Sequence, residues 1–361
     1  MKTRFFSARL LAAVLIAWAV IIVPSVAMAQ TAKPTATAKP QPMAADKTAA
    51  EPGDEFPRPP KPAKQYTIGV LLPHLSSAHF VGQAYGYIDE AQKLGVKVIM
   101  FEAGGYEHLD RQIAQIEDLI AQKVNAIVMG AVSGPGTVGA VDRAAAAGIP
   151  VITCNSTSDS KYVVSRIRSD DDTIGQMQAD IMGQALRGRG NVVMLPGPAG
   201  TSWAENRAAA FKKRLREKFP NVKVIGMQYS LSSPVDGLRI MEDFLQTYPK
   251  IDGVYNGADT MAIGSAQAVL ASGNAGKIAI TTTDFQPDTE KFLRSGVITA
   301  AVIQQTVVIG RWGIRAAVNY LEKRPVPANI SVPLLQATKD DVGKIDMRGV
   351  RAPDGWKPPT R

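Results

Sequence analysis

The feature that most constrains this chain is an alternation that begins at Gln65. A short run of β-branched and aliphatic residues gives way to a stretch of helical periodicity, then to another such run, with short connections throughout. Segments 66–73, 96–102, 126–130 and 150–155 read as strands apolar on both faces, the pattern of a parallel sheet covered by helices on both sides. Between them Leu109, Ile113, Ile116 and Ile120 recur at spacings of four, three and four, which stacks them on one helical face. The alternation restarts after Gly188 and Gly190 with strands over 191–195, 222–228, 251–256, 277–284 and 298–305. Its helices repeat the logic, with Ala208, Phe211, Leu215 and Phe219 on one face and Leu238, Met241, Leu245 and Tyr248 on another. Two α/β lobes are expected within residues 65–342: lobe 1 over about 65–165 plus a return segment, lobe 2 over about 187–305. A strand over 162–169, a helix over 172–186 and a returning strand over 331–337 are expected to form a multi-strand hinge.

Composition decides what surrounds that core. Hydrophobic residues make up 45% and charged residues 20% of the chain, which excludes a wholly disordered or multi-span membrane protein. The net charge of +9 invites a nucleic-acid reading, but the first 29 residues carry +3, residues 30–64 carry +2 and residues 343–361 carry +3. That leaves about +1 for 65–342, poor material for phosphate binding, so no nucleic-acid partner is expected. A basic start, an apolar run over 10–23 and the small residues Ala27 and Ala29 predict a secretory signal cleaved after Ala29 and a periplasmic destination. Residues 30–64, rich in proline and alanine, predict a disordered linker, and 343–361 a basic, proline-containing tail.

The chemistry-bearing residues argue against catalysis. Cys154 is the only cysteine and reads as a buried small hydrophobe, and the three histidines, His74, His79 and His108, supply neither a triad nor a metal-ligand spacing. No catalytic residue, metal or cofactor is expected. The G-x-G-x-x-G match at 134–139 follows a third strand rather than a first and reads as a helix-start turn. The acidic run Asp170-Asp171-Asp172 reads as a helix cap, and Ser202 with Glu205 has capping-box spacing. In open parallel sheets ligands bind beyond the carboxyl ends of the strands, so loops 75–80, 103–108, 131–136, 155–159, 196–203, 257–260, 284–286 and 304–306 are expected to carry the function.

Across 65–342 the chain resembles the periplasmic binding proteins of type 1 fold, on segments 68–80, 197–211 and 254–264 with Asp259-Thr260-Met261-Ala262, and on Thr283-Asp284 before Pro287-Asp288. The resemblance implies a two-lobed solute-binding protein whose lobes close on a small polar ligand, with contacts from Phe80, Arg207, Asp284 and Gln304. Asn155-Ser156 stand where pentose binders place an Asp-Arg pair, Ala258 replaces a ligand asparagine, and His79 stands where many sugar binders place an aromatic residue. A narrower resemblance, through 101–106, Arg111-Gln112 and 126–130, is to the TorT branch, which detects trimethylamine N-oxide beside a sensor kinase. It implies that ligand or a similar methylated compound, with Phe80, Tyr106 and Trp203 as cage rings and a membrane sensor kinase as partner. The alternative is a sugar-binding subunit that serves the permease of an ABC importer. The expected ligand-binding set is Phe80, Tyr106, Asn155, Trp203, Arg207, Asp284 and Gln304. A transcriptional regulator of the same fold is disfavoured by the leader and by the lack of a helix-turn-helix pattern before Gln65.

Overall fold

The computed structural model describes residues 51–359. The expected signal peptide and residues 30–50 lie outside the described residues. Two six-stranded sheets form the frame. The first is built from β1 (Thr67–Leu72), β2 (Lys97–Glu102), β3 (Ala126–Met129), β4 (Val151–Cys154) and β5 (Val163–Arg168), with helices α1 (Ala78–Leu94), α2 (Leu109–Ala121) and α3 (Val138–Ala146) between them. After α4 (Asp171–Ala185) come β6 (Arg189–Leu195), α5 (Ser202–Lys218), β7 (Asn221–Met227), α6 (Pro234–Thr247), β8 (Gly253–Asn256) and α7 (Asp259–Ala271). The chain continues through β9 (Ala279–Thr283), α8 (Pro287–Arg294), β10 (Ala300–Gln304), α9 (Thr306–Leu321), β11 (Asn329–Ser331) and β12 (Leu334–Thr338).

The strand orders are β11-β5-β4-β3-β1-β2 and β12-β10-β9-β8-β6-β7. All pairs are parallel except β10 with β12, where Ala300 faces Thr338. The central strands are apolar on both faces because helices cover both: every residue of β3, β4, β8 and β10 is buried. Each of the nine strands expected within the lobes, and the one expected over 162–169, therefore appears, its ends shifted by no more than two residues.

The second lobe begins earlier than expected. Helix α4 packs on α5, β9 and β10 and belongs to lobe 2, whereas α9, which follows the lobe 2 strand β10, packs on α1 and on β3, β4 and β5 of lobe 1. The return to lobe 1 thus begins at Thr306. The segment expected as one returning strand is two, β11 in the lobe 1 sheet and β12 in the lobe 2 sheet, so the described chain crosses at 169–170, 305 and 332–333. The α1–α9 contact brings backbones together: a Cβ at Gly86 would strike the Val307 carbonyl and one at Gly310 the Gln83 carbonyl, so only glycine lets these helices meet.

The flanking segments are also more ordered than their composition implies. Residues 51–58 lie on α1 and α9: Phe56 meets Trp312 edge-on at 5.7 Å, Trp312 Nε1 donates to the Gly53 carbonyl at 2.7 Å, and Arg58 pairs with buried Glu90. Their apolar content is too small for a core of their own, but the lobe supplies the partners. In the tail, Val342 and Val350 join the lobe 2 hydrophobic cluster, while Trp356 packs against the lobe 1 cluster and meets Tyr85 at 5.4 Å.

Candidate functional site

The carboxyl ends of β1, β2 and β4 from lobe 1 face those of β6, β8, β9 and β10 from lobe 2, and their loops enclose a narrow cleft. All seven residues expected to bind ligand line it: Phe80 on the first turn of α1, Tyr106 after β2, Asn155 after β4, Trp203 and Arg207 on α5, Asp284 after β9 and Gln304 ending β10. Two of them are held in left-handed backbone, Asn155 at φ 68° and Asp284 at φ 76°, conformations that Asn and Asp tolerate better than most residues. That geometry turns each chain sharply out of its strand and presents the side chain to the cleft.

The aromatic wall is a chain of rings. His74 meets Phe80 edge-on at 4.6 Å, Phe80 lies 6.4 Å from Tyr106, and Tyr106 lies 6.4 Å from Trp203. Burial, with the nearby His79, pushes the His74 imidazole down to about 4, so it stays neutral at physiological pH.

The polar wall is anchored by Arg207, which is 3% exposed. Its Nε donates to Asp171 Oδ1 at 2.8 Å, its Nη1 to the Gly257 carbonyl at 3.2 Å, and its guanidinium sits 5.2 Å from the Trp203 ring centroid. Of the acidic run, only Asp170 caps α4, accepting from the amides of Asp172 and Thr173. Asp171 instead serves as counter-ion to Arg207 and Arg168, whose guanidiniums take up its two carboxylate oxygens and leave none for the helix amides. The expected Ser202–Glu205 capping box does not form, because the helix starts one residue earlier and the Thr201 hydroxyl donates to the Pro198 carbonyl. Thr201 is the N-cap, and Glu205 reaches back to the Gly200 amide at 3.2 Å while accepting from the Tyr229 hydroxyl at 2.7 Å.

Asp284 is the centre of the lobe 2 side. Gln304 Nε2 donates to its Oδ1 at 2.9 Å, and His79 Nδ1 from lobe 1 approaches the same oxygen at 3.0 Å. Burial would raise this carboxyl, but His79, Arg207 and the Gln304 amide together hold it below the usual carboxylate range. Behind it Asp259 accepts from the Gln286 amide, the Gln286 side chain and the Thr289 hydroxyl; burial and the charge of Asp284 push its carboxyl up against those donors.

Sequence reasoning missed seven lining residues: His74, Ser77, His79, Ser232, Ala258, Asp259 and Thr260. Most lie in loops placed beyond strand ends, but Ser232 comes from the 228–233 connection, which β7 carries to the cleft mouth and which no strand-end reading included. Cys154 is fully buried, its thiol pushed up to about 12 by burial, and the 134–139 glycines form the turn into α3 through Ser133 and Thr137. Among the described residues no cluster could hold a metal, and no helix is long and apolar enough to cross a membrane.

Comparison with known proteins agrees with this geometry. The model of the periplasmic binding protein domain matches residues 68–325. The ribose import binding protein of Bacillus subtilis is 30% identical over 76% of this chain and 88% of its own length. The D-allose-binding periplasmic protein of Escherichia coli is 29% identical over 69% of this chain and 83% of its own. A carbohydrate transporter solute-binding protein from Agrobacterium radiobacter, solved with D-arabinose, superposes with a TM-score of 0.74 at 28% identity, over 78% of this chain and 96% of that one. These relatives are solute-binding proteins, and the chain belongs to the periplasmic binding protein domain family, type 1.

Proposed function

We propose that the protein is the periplasmic sugar-binding subunit of an ABC importer, closing its lobes on a small polyhydroxylated ligand and presenting it to the membrane permease. One observation carries this reading. Buried polar atoms without hydrogen-bond partners line the cleft in both senses, Gln304 Oε1 as acceptor and Trp203 Nε1 and the His79 ring as donors, beside the carboxylates of Asp284 and Asp259. A hydroxyl donates and accepts at once, so a ring of hydroxyls satisfies such a wall, and the Phe80 and Trp203 faces suit the apolar face of a sugar. The relatives that bind ribose, D-allose and D-arabinose support the class. Phe80, Tyr106, Asn155, Trp203, Arg207, Asp284 and Gln304 are the contacts proposed for it. Export follows from the leader, with cleavage after Ala29 checked by the amino terminus of the mature protein.

The TorT-like reading has the ring series Phe80, Tyr106 and Trp203 in its favour. Against it, trimethylamine N-oxide donates no hydrogen bond and would leave Gln304 Oε1 without a donor, and Arg207 already brings positive charge to the Trp203 face. A calorimetric and thermal-shift panel of ribose, allose, arabinose, galactose, myo-inositol, trimethylamine N-oxide and glycine betaine tests the choice. A sugar that binds the wild type and is lost in Asp284→Ala supports the importer reading. Binding of trimethylamine N-oxide with no sugar response replaces it with the sensor-kinase one.

A further inference from the structure

Among the described residues Arg207 is the only lysine or arginine that lines the cleft, and it is already paired: Nε donates to Asp171 Oδ1 at 2.8 Å and Nη1 to the Gly257 carbonyl at 3.2 Å. Asp171 therefore cancels Arg207, and the two further carboxylates that line the cleft, Asp259 and Asp284, face no second guanidinium or ammonium. Two acceptors on that wall are left for a ligand. His79 Nδ1 and Gln304 Nε2 both face Asp284 Oδ1, at 3.0 and 2.9 Å, which leaves Oδ2 open on a carboxylate held below the usual range and so ionised at neutral pH. The Gln304 amide nitrogen is turned to that carboxylate, and its Oε1, on a residue 1% exposed, is buried with no donor. The Gln304–Asp284 hydrogen bond thus holds the two open acceptors as neighbours.

A hydroxyl carries one proton and can meet only one of them. A primary ammonium carries three, accepts nothing and brings a positive charge. We infer that the ligand carries a primary ammonium seated on Asp284 Oδ2 and Gln304 Oε1, which narrows its class to an amino sugar or amino polyol. The inference rests on the sugar reading for the hydroxyls of that ligand, which are left to donors such as the unpartnered Trp203 Nε1.

The surroundings favour such a charge. Asp284 is 8% exposed, and a buried carboxylate is costly unless paired. Burial and the charge of Asp284 push the Asp259 carboxyl up to about 7, and a cation beside Asp284 offsets the second cause. The Phe80 and Tyr106 rings, 6.4 Å apart in the same cleft, add faces that attract cations.

Matched ligands separate charge from shape. Calorimetry of the full chain with glucosamine and glucose, galactosamine and galactose, and mannosamine and mannose, together with the N-acetyl form of each amine, should show at least one amine binding about tenfold or more tighter than both its neutral parent and its N-acetyl form. Asp284→Asn should bring that set to within about twofold. Neutral parents as tight as their amines in every pair, or an amine preference that survives Asp284→Asn, overturn the ammonium assignment and leave the sugar reading standing; the wild-type pairs decide even where Asp284→Asn binds nothing. A neutral sugar such as ribose that binds while every amine is silent has the same effect. Silence of all neutral and amino sugars overturns both.

Discussion

Replacing Glu90 with glutamine tests whether residues 51–58 belong to the folded domain. Glu90 and Arg315 are both fully buried, and Arg315 Nε donates to Glu90 Oε1 at 2.9 Å and Nη2 to Oε2 at 3.2 Å. Arg315 Nη1 also donates to the Gly53 carbonyl at 2.7 Å, and Arg58 Nε donates to Glu90 Oε1 at 2.6 Å, so one carboxylate ties α1, α9 and the incoming segment together. Glu90→Gln keeps the shape and removes the charge, leaving a buried guanidinium with backbone carbonyls and only the more distant, half-exposed Asp54 carboxylate at 3.6 Å. Breaking a buried pair this way costs about 3–5 kcal/mol. At the low end of the usual conversion for a chain this long, about 2 °C per kcal/mol, the melting midpoint falls by about 6–10 °C. Arg58 is 31% exposed and can turn to water, so Arg58→Ala should cost no more than about 1 kcal/mol, or about 2 °C. Differential scanning calorimetry of both variants decides the matter. A Glu90→Gln shift below 2 °C, or one no larger than that of Arg58→Ala, refutes the claim that this carboxylate organises the junction.

Two further expectations follow. Asp171→Asn does not touch the cleft but frees Arg207, so ligand affinity should fall about tenfold or more; an unchanged calorimetric affinity would remove Asp171 as a positioning residue. Burial would raise the Glu51 carboxyl, yet donation from Lys93 and Arg58 and the nearby Arg311 bring it down to about 2, below the unfolded value of about 4.3. Its contribution is therefore complete above about pH 4.3 and lost as pH falls toward 2, so Glu51→Gln should flatten the acid limb of the stability curve in that window, and an unaltered limb counts against the pairing.

The parts of the fold legible in the sequence were those set by burial on two faces. Strand runs such as 126–130 announce themselves because every side chain must be apolar, and α2 because its apolar stripe keeps one face. The seven cleft residues were legible chiefly through the family resemblance, which implied Phe80, Arg207, Asp284, Gln304 and the rings Tyr106 and Trp203, while the alternation placed the strand-end loops that carry most of them. What escaped was set by partners distant in sequence. Asp171 looks like its neighbours in an acidic run until Arg207, thirty-six residues on, arrives beside it. Residues 51–58 look disordered because Arg315 and Glu90, their reason for order, lie far along the chain. His79 could be placed in the first loop, but that it faces Asp284 is a fact of how the lobes meet.

The carboxyl-terminal tail adds a connection that the sheets do not require. After β12 the chain sinks Val342 and Val350 into the lobe 2 cluster, with Ile345 and Met347 against it. Thr306 Oγ1, at the hinge, donates to the Val350 carbonyl at 2.7 Å, and Arg351 pairs with Glu290 at 2.8 Å beside the Phe285 ring. The next residues leave lobe 2, and Trp356 settles on lobe 1 against Tyr85 of α1. A segment fastened to both lobes beside the hinge opposes any opening that separates Tyr85 from Val350, so its distal half acts on the closure equilibrium rather than on the fold. Ending the chain after Ala352 keeps the lobe 2 anchor and removes the Trp356 contact together with the prolines around it. An aromatic pair of this kind contributes about 0.5–1.5 kcal/mol beyond its buried area, which corresponds to a twofold to tenfold shift toward the open form. Scattering on the ligand-free protein should show a larger radius of gyration, with the melting midpoint within a few degrees of wild type. A truncated protein as closed as the full chain would show that Trp356 merely covers lobe 1, and a collapse in melting temperature would make the tail part of the core.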